Sequence, residues 1–203
     1  DIKGYLTGNH EYAREMFREK LRALEAQGMT KLVIDLRGNG GGFDEIGCAL
    51  VDLLATEDFL SQSFGIIKNG RFERMSDHYV VADGEFADLE VVVLTNLYCG
   101  SAGDGTALYL SKLPNVTLAG ISDSSGCNQE IGGACYLPEG LVVAFPSGLI
   151  LNEESEPNID IKADRISRNP NEVYIPFDKD AAMQMFSGEG DYEIEWAIEF
   201  LEK

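Results

Sequence analysis

Twice along this chain a short run of β-branched and aliphatic residues ends in glycines and passes straight into helical periodicity. The first run is Lys31-Leu-Val-Ile-Asp-Leu36, followed by Arg-Gly-Asn-Gly-Gly-Gly42 and by apolar residues at helical spacing from Asp44 to Leu54. The second is Leu89 to Thr95, followed by Asn-Leu-Tyr-Cys-Gly-Ser-Ala-Gly-Asp104 and a helical segment from about Ala102 to Leu113, stopped by Pro114. Apolar runs this short and this rich in β-branched residues read as strands buried on both faces. Strands that alternate with helices build a largely parallel central sheet, so an α/β domain is the expected fold class.

The remaining segments fit that class. From Glu11 to Gln27, Ala13, Met16, Phe17, Leu21 and Leu24 recur at helical spacing, with Asn9 as N-cap and Gly28 as the stop. Ile2 to Leu6, Ser63 to Ile67, His78 to Val81 and Val116 to Ala119 read as strands. Gln129 to Leu137 and Leu141 to Phe145 form a hairpin over Pro138-Glu-Gly140, and Glu193 to Glu202 closes the chain as an amphipathic helix. The polar stretch Asn152 to Asn171, with Pro157 and Pro170, reads as a surface excursion within one domain spanning residues 1–203.

Charge narrows the function classes. Sixteen Lys plus Arg against 35 Asp plus Glu give −19, a field that repels a phosphate backbone and argues against a nucleic-acid partner. The longest apolar run falls far short of a membrane span. The chain opens at Asp1 without a Met and reads as an excerpt or mature form. Cysteines at 48, 99, 127 and 135 form no C-x-x-C pair, and with two histidines they make a structural zinc site improbable. Cys127 and Cys135 either close a short disulfide loop in an oxidising compartment or are two small thiols.

Both glycine turns carry candidate chemistry. Gly40, Gly41 and Gly42 leave backbone N–H groups unshielded beside a helix start, which suits a phosphate or the oxyanion of an acyl transfer. No Gly-Lys-Ser/Thr follows and the dinucleotide spacing is not met. The second turn places Ser101 at a helix start, the position of a nucleophile elbow, although the G-x-S-x-G pattern is absent. A plain N-cap is the competing reading of Ser101.

Taken together, Asp35-Leu-Arg-Gly-Asn-Gly-Gly-Gly42 and Gly100-Ser-Ala-Gly-Asp104 resemble the S41 peptidase family. That family holds the carboxy-terminal processing (tail-specific) proteases, the tricorn protease core and the retinoid-binding repeats. The resemblance continues through Val116-Thr-Leu-Ala-Gly120 and Glu156-Pro-Asn-Ile-Asp160 into the final helix. It implies a crotonase-like (ClpP-like) spiral of ββα units, often preceded by a PDZ domain, for which no segment of sufficient size is present here. It implies Ser101 as nucleophile, Asp104 as the acidic residue three places on, and an oxyanion hole from Gly41 and the Ala102 N–H. It further implies a peptide or unfolded-protein substrate, no metal or organic cofactor, and an extracytoplasmic location.

The general base departs from the family pattern. Processing-type members carry a Lys on the loop after a strand like Val116 to Ala119. That loop here, Gly120 to Asn128, has none, and ungapped counting falls on Gly126. Lys112 is eleven residues along the helix from Ser101, ~16 Å at ~1.5 Å per residue. The tricorn-like branch uses a His on the first strand, near Thr7 here, which makes His10 the candidate base, with His78 next. The acid comes from the Glu153, Glu154 and Glu156 segment, Glu156 being the choice. His10-Glu-x-x-Arg14 lacks the second His of a zinc protease. Two other readings follow from the same residues. One is a catalytically silent S41-fold module that binds a peptide or apolar ligand. The other is a coenzyme A thioester enzyme, which needs a basic patch that the 16 scattered cations do not obviously supply.

Overall fold

Each of the two strand–glycine–helix segments forms as its residues dictate. The computed structural model describes residues 9–126, 131–146, 148–152, 154–155, 169–188 and 190–203. Strand β1 (Lys31–Asp35) pairs in parallel with β4 (Glu90–Leu94), which pairs in parallel with β5 (Val116–Gly120), and β5 with the short β9 (Val173–Tyr174). The sheet order is β1-β4-β5-β9.

Alternation along β4 shows why this sheet is central. Val91 and Val93 join one apolar cluster, with Leu53, Leu54, Leu110 and Leu118, while Val92 and Leu94 join another, with Ala119, Ala197 and Leu201. Helices therefore cover both faces. Helix α1 (His10–Glu25), α2 (Asp44–Leu54) and α3 (Ala102–Leu110) supply the first layer, and α5 (Tyr192–Leu201) supplies the second. Strand β1 differs from its expected full burial: its residues are half-buried or exposed, because it is the edge strand.

Caps set the helix starts. The Asn9 side chain accepts from Tyr12 N–H at 2.8 Å, and Asp178 and Asp191 cap α4 (Lys179–Ser187) and α5 in the same way. The region from 59 to 80 is one long antiparallel hairpin, β2 (Phe59–Lys68) and β3 (Arg71–Val80), where only two separate short strands were expected. Its turn is Asn69-Gly70, both at positive φ, as a tight hairpin requires. Strand β8 (Gly148–Leu151) pairs with β2 and completes a second sheet. Strands β6 (Ile131–Tyr136) and β7 (Val142–Pro146) form a separate hairpin over Pro138–Gly140, close to the expected bounds. The strand expected at Ile2 to Leu6, and most of the Asn152–Asn171 excursion, lie outside the described residues.

Candidate active site

Parallel pairing of β1 with β4 brings the two glycine turns side by side, because Asp35 and Leu94 end their strands in register. Two asparagines then stitch the turns together. Asn96 Oδ1 accepts from Gly38 N–H at 3.1 Å and from Tyr98 N–H at 3.0 Å. The Asn39 carbonyl accepts from Gly100 N–H at 2.9 Å. The approach is so close that a Cβ on Gly41 would stand 2.5 Å from Ser101 Cβ, 2.9 Å from Ser101 Oγ and 2.9 Å from Ala102 N. Gly41 has φ +105°, a conformation that glycine adopts without strain.

Ser101 occupies a backbone conformation that L-residues avoid, φ 53° and ψ −126°, at the start of α3. Its side chain makes no capping bond to the helix. The strained turn therefore presents Oγ toward Gly41 rather than folding it back as an N-cap. Relief of this strain is measurable: Ser101→Gly is expected to be about 1 kcal/mol more stable than Ser101→Ala in thermal denaturation. Equal stability of the two variants would mean that the turn stores no strain.

Three expected site residues, Ser101, Gly41 and Ala102, thus meet at one place. One detail differs from expectation. The Gly41 N–H already donates to Asn39 Oδ1 at 3.0 Å, so it is not a free donor in this structure. The Ala102 N–H belongs to the first turn of α3, where a helix leaves its donors without intrahelical partners.

Asp104 is buried beneath the turn. Ser125 Oγ donates to its Oδ2 at 3.0 Å, and Asn169 Nδ2 donates to its Oδ1 at 3.2 Å and to its carbonyl at 2.7 Å. Ser125 lies on the loop after β5, and a Cβ on Gly100 would stand 2.6 Å from its Oγ. Cys99 offers no competing nucleophile, since burial first and Asp104 second push its thiol up to about 12.

His10 is not brought to Ser101. Its Nε2 lies 2.8 Å from Asp52 Oδ2, near the C-terminal end of α2. Asp52 is eight residues beyond Asp44, ~12 Å along that helix from the glycine turn at ~1.5 Å per residue. The residue of α1 that does reach the site is Phe17. His78 sits opposite Gln62 on β3, and Gln62 Nε2 donates to Asp44 Oδ2 at 3.2 Å. Burial raises the Asp44 carboxyl above its usual range, against the opposing pull of the Gln62 hydrogen bond and the nearby His78. Lys112 is engaged elsewhere, with Leu60 O at 3.2 Å and over the Phe59 ring. Glu153, Glu156 and Cys127 lie outside the described residues, and among the described residues Cys48, Cys99 and Cys135 form no disulfide with one another. Among the described residues no cluster of His, Cys, Asp and Glu has a metal-holding arrangement, and no helix is long and apolar enough to cross a membrane.

A cavity of about 290 Å³ opens directly beside Gly41 and Ala102. Phe17, Leu36, Phe43, Ile46 and Leu50 give it apolar walls, and Thr106 contributes one hydroxyl. That hydroxyl is already bonded to the Ala102 carbonyl at 2.7 Å. An apolar side chain fits such a lining better than a charged one. The sequence reading did not find this cavity, because its walls come from four separate segments that only the fold assembles.

Comparison with solved structures finds the same fold in chains less than 25% identical to this one. A candidate peptidase of Parabacteroides merdae superimposes with TM-score 0.67 at 22% identity, covering 85% of this chain and 52% of that one. The photosystem II D1 C-terminal processing protease gives TM-score 0.56 at 19% identity, over 88% of this chain and 44% of its own. Tricorn protease gives 0.56 at 21% identity, over 85% of this chain and 15% of its own. This chain therefore spans about half the length of the first and less of the others. No curated protein matches it by sequence. The profile of Peptidase family S41 matches residues 4–165, most of the chain, and with the mixed α/β fold in agreement the protein belongs to that family.

Proposed function

We propose that this domain is a serine peptidase in which Ser101 forms the acyl-enzyme. The observation that carries the reading is Ser101 itself, strained at φ 53° and ψ −126° and aimed at the glycine turn without capping its helix. In this mechanism Oγ attacks the peptide carbonyl, its proton leaves with the departing amine, and water then hydrolyses the ester. The Ala102 N–H holds the oxyanion, and the Gly41 N–H joins it once the Asn39 carboxamide is displaced. The adjoining cavity takes an apolar side chain of the peptide. Membership of a peptidase family and the resemblance to a processing protease support this substrate class.

The test is labelling by a fluorophosphonate, compared across the parent chain and its Ser101→Ala, His10→Ala and His78→Ala variants. The parent is expected to label and Ser101→Ala to lose all labelling. His10→Ala is expected to keep it, since His10 is held at Asp52. A second reading, the silent binding module, draws on one observation: among the described residues no imidazole or ammonium group is bonded to Ser101. An unlabelled parent chain that still binds an apolar peptide would establish it instead.

A further inference from the structure

A serine at φ 53° relaxes unless the backbone on both sides of it is fixed. The first glycine turn supplies one constraint, through the Gly100 N–H that donates to the Asn39 carbonyl at 2.9 Å. A single residue of the loop after β5 supplies two more. Ser125 donates its backbone N–H to the Cys99 carbonyl at 2.8 Å and its hydroxyl to Asp104 Oδ2 at 3.0 Å. Cys99 precedes Ser101 and Asp104 follows it, so the two bonds straddle the strained residue. Both of their acceptor residues are buried, Cys99 fully and Asp104 at 1% exposure. The Ser125 side chain also lies against Gly100, where a Cβ would stand 2.6 Å from its Oγ and 3.6 Å from its Cβ.

The loop that carries Ser125 is itself anchored. Asn171 Nδ2 donates to the Ser122 carbonyl at 3.0 Å, and the Asn171 N–H donates to Asp123 Oδ1 at 3.2 Å. Asn171 Oδ1 accepts from Thr95 Oγ1 at 2.8 Å, directly after β4, the strand that leads into the serine turn. Asn169 holds Asp104 from the same segment. The end of β4, the loop from 122 to 125 and the start of α3 thus form one frame around Ser101.

We infer that Ser125 is a positioning residue, a staple across residues 99–104 that keeps Ser101 strained with Oγ toward Gly41 and, on the reading of Ser101 as nucleophile, sets the rate of its attack. A hydroxyl donating to a carboxylate makes a bond roughly twice as strong as a neutral pair. Relaxing Ser101 re-aims the chain between Cys99 and Asp104, so one of the two bonds breaks and a buried acceptor loses a donor. A displacement of about 1 Å at the reacting atom is enough to cost about 100-fold in rate.

Thermal denaturation reads the strain without any activity. In the parent background Ser101→Gly is expected to melt about 2–4 °C above Ser101→Ala, the shift that this strain produces in a domain of this size. With Ser125→Ala added to each, the gap is expected to close or reverse, since glycine has no advantage over alanine once the turn relaxes. With Ser101 in place, Ser125→Ala is expected to lower the limiting rate of fluorophosphonate labelling by about 10–100-fold and to leave the half-saturating probe concentration unchanged. Ser111→Ala removes a hydroxyl bonded to the Leu108 carbonyl at the far end of α3 and is expected to alter neither reading. Ser125→Cys, which keeps the size and weakens the donor, carries both measurements should Ser125→Ala fail to fold. A gap that survives loss of the Ser125 hydroxyl, or that is absent from the parent background, would overturn the inference. So would an unchanged limiting rate in a chain that labels. A parent chain that never labels would sink the peptidase reading alone, and the thermal comparison would still decide whether Ser125 holds the turn.

Discussion

Gly41→Ala is expected to destabilise the domain by about 3 kcal/mol and to slow fluorophosphonate labelling by at least about 100-fold. Two independent costs add at this position. An L-residue at φ +105° is strained whatever the space around it, at about 1–3 kcal/mol. The new methyl group would also stand 2.5 Å from Ser101 Cβ and 2.9 Å from the Ala102 nitrogen, and overpacking of this kind typically costs about 1–3 kcal/mol. Neither neighbour can yield cheaply, because one belongs to the strained serine and the other is backbone at a helix start. The labelling rate suffers for a separate reason: the methyl group would lie 2.9 Å from Ser101 Oγ, in the space the reacting carbonyl must enter. Gly40→Ala is the matched control. A Cβ there meets nothing within 4 Å, and its stability is expected to stay within about 0.5 kcal/mol of the parent. Urea denaturation of the two variants, with labelling rates, separates the site-specific cost of Gly41 from a general intolerance of side chains in the turn.

This contrast also explains how much of the site could be read from the residues. The strand–glycine–helix segments were legible because local chemistry sets them: β-branched runs, bare turns and helical spacing are all short-range signals. Asn9 as the cap of α1 and the hairpin over Pro138–Gly140 were legible for the same reason. The adjacency of Gly41 and Ser101 was reached only through the family resemblance, since it depends on β1 and β4 pairing in parallel across more than fifty residues. The long hairpin of β2 and β3 was missed although its turn signal, the Asn69-Gly70 pair, was present, because the strand that follows, Arg71–Val80, is mostly polar and shows no apolar run. His10 shows the opposite failure. A histidine near the right strand looked like a base by its position in sequence, but α1 runs the length of α2 and carries His10 to Asp52, leaving Phe17 at the site. No count along the chain reports which turn of a helix faces which end of its neighbour.

Arg37 carries the second large effect, because one guanidinium ties the first glycine turn to the C-terminal helix. Its Nη1 donates to Asp191 and Glu193 at 2.9 Å each, its Nη2 to Asp191 at 2.7 Å and Asp35 at 2.8 Å, and its Nε to Asp35 at 2.9 Å. Arg37→Ala would leave three carboxylates facing one another, with Glu193 buried. The expected loss is about 3 kcal/mol at neutral pH, nearer the cost of breaking a buried pair than a surface one, although Asp35 and Asp191 are each more than a third exposed. Acid should narrow the gap between parent and variant. The Arg37 hydrogen bonds hold the Asp35 and Asp191 carboxyls below their ordinary values when folded. The stability they confer is therefore fully present above the unfolded carboxylate range and is lost as pH falls below about 4 through the folded values. Without Arg37 the same carboxylates repel, and protonation relieves them, so the gap between parent and variant should begin to close between about pH 6 and 4, the contributions of other buried carboxyls being common to both. Denaturant midpoints measured across that range read the difference directly. A gap between parent and variant that stays constant down to pH 3 would show that Arg37 acts through packing of its stem, and that its charge does not hold the glycine turn to α5.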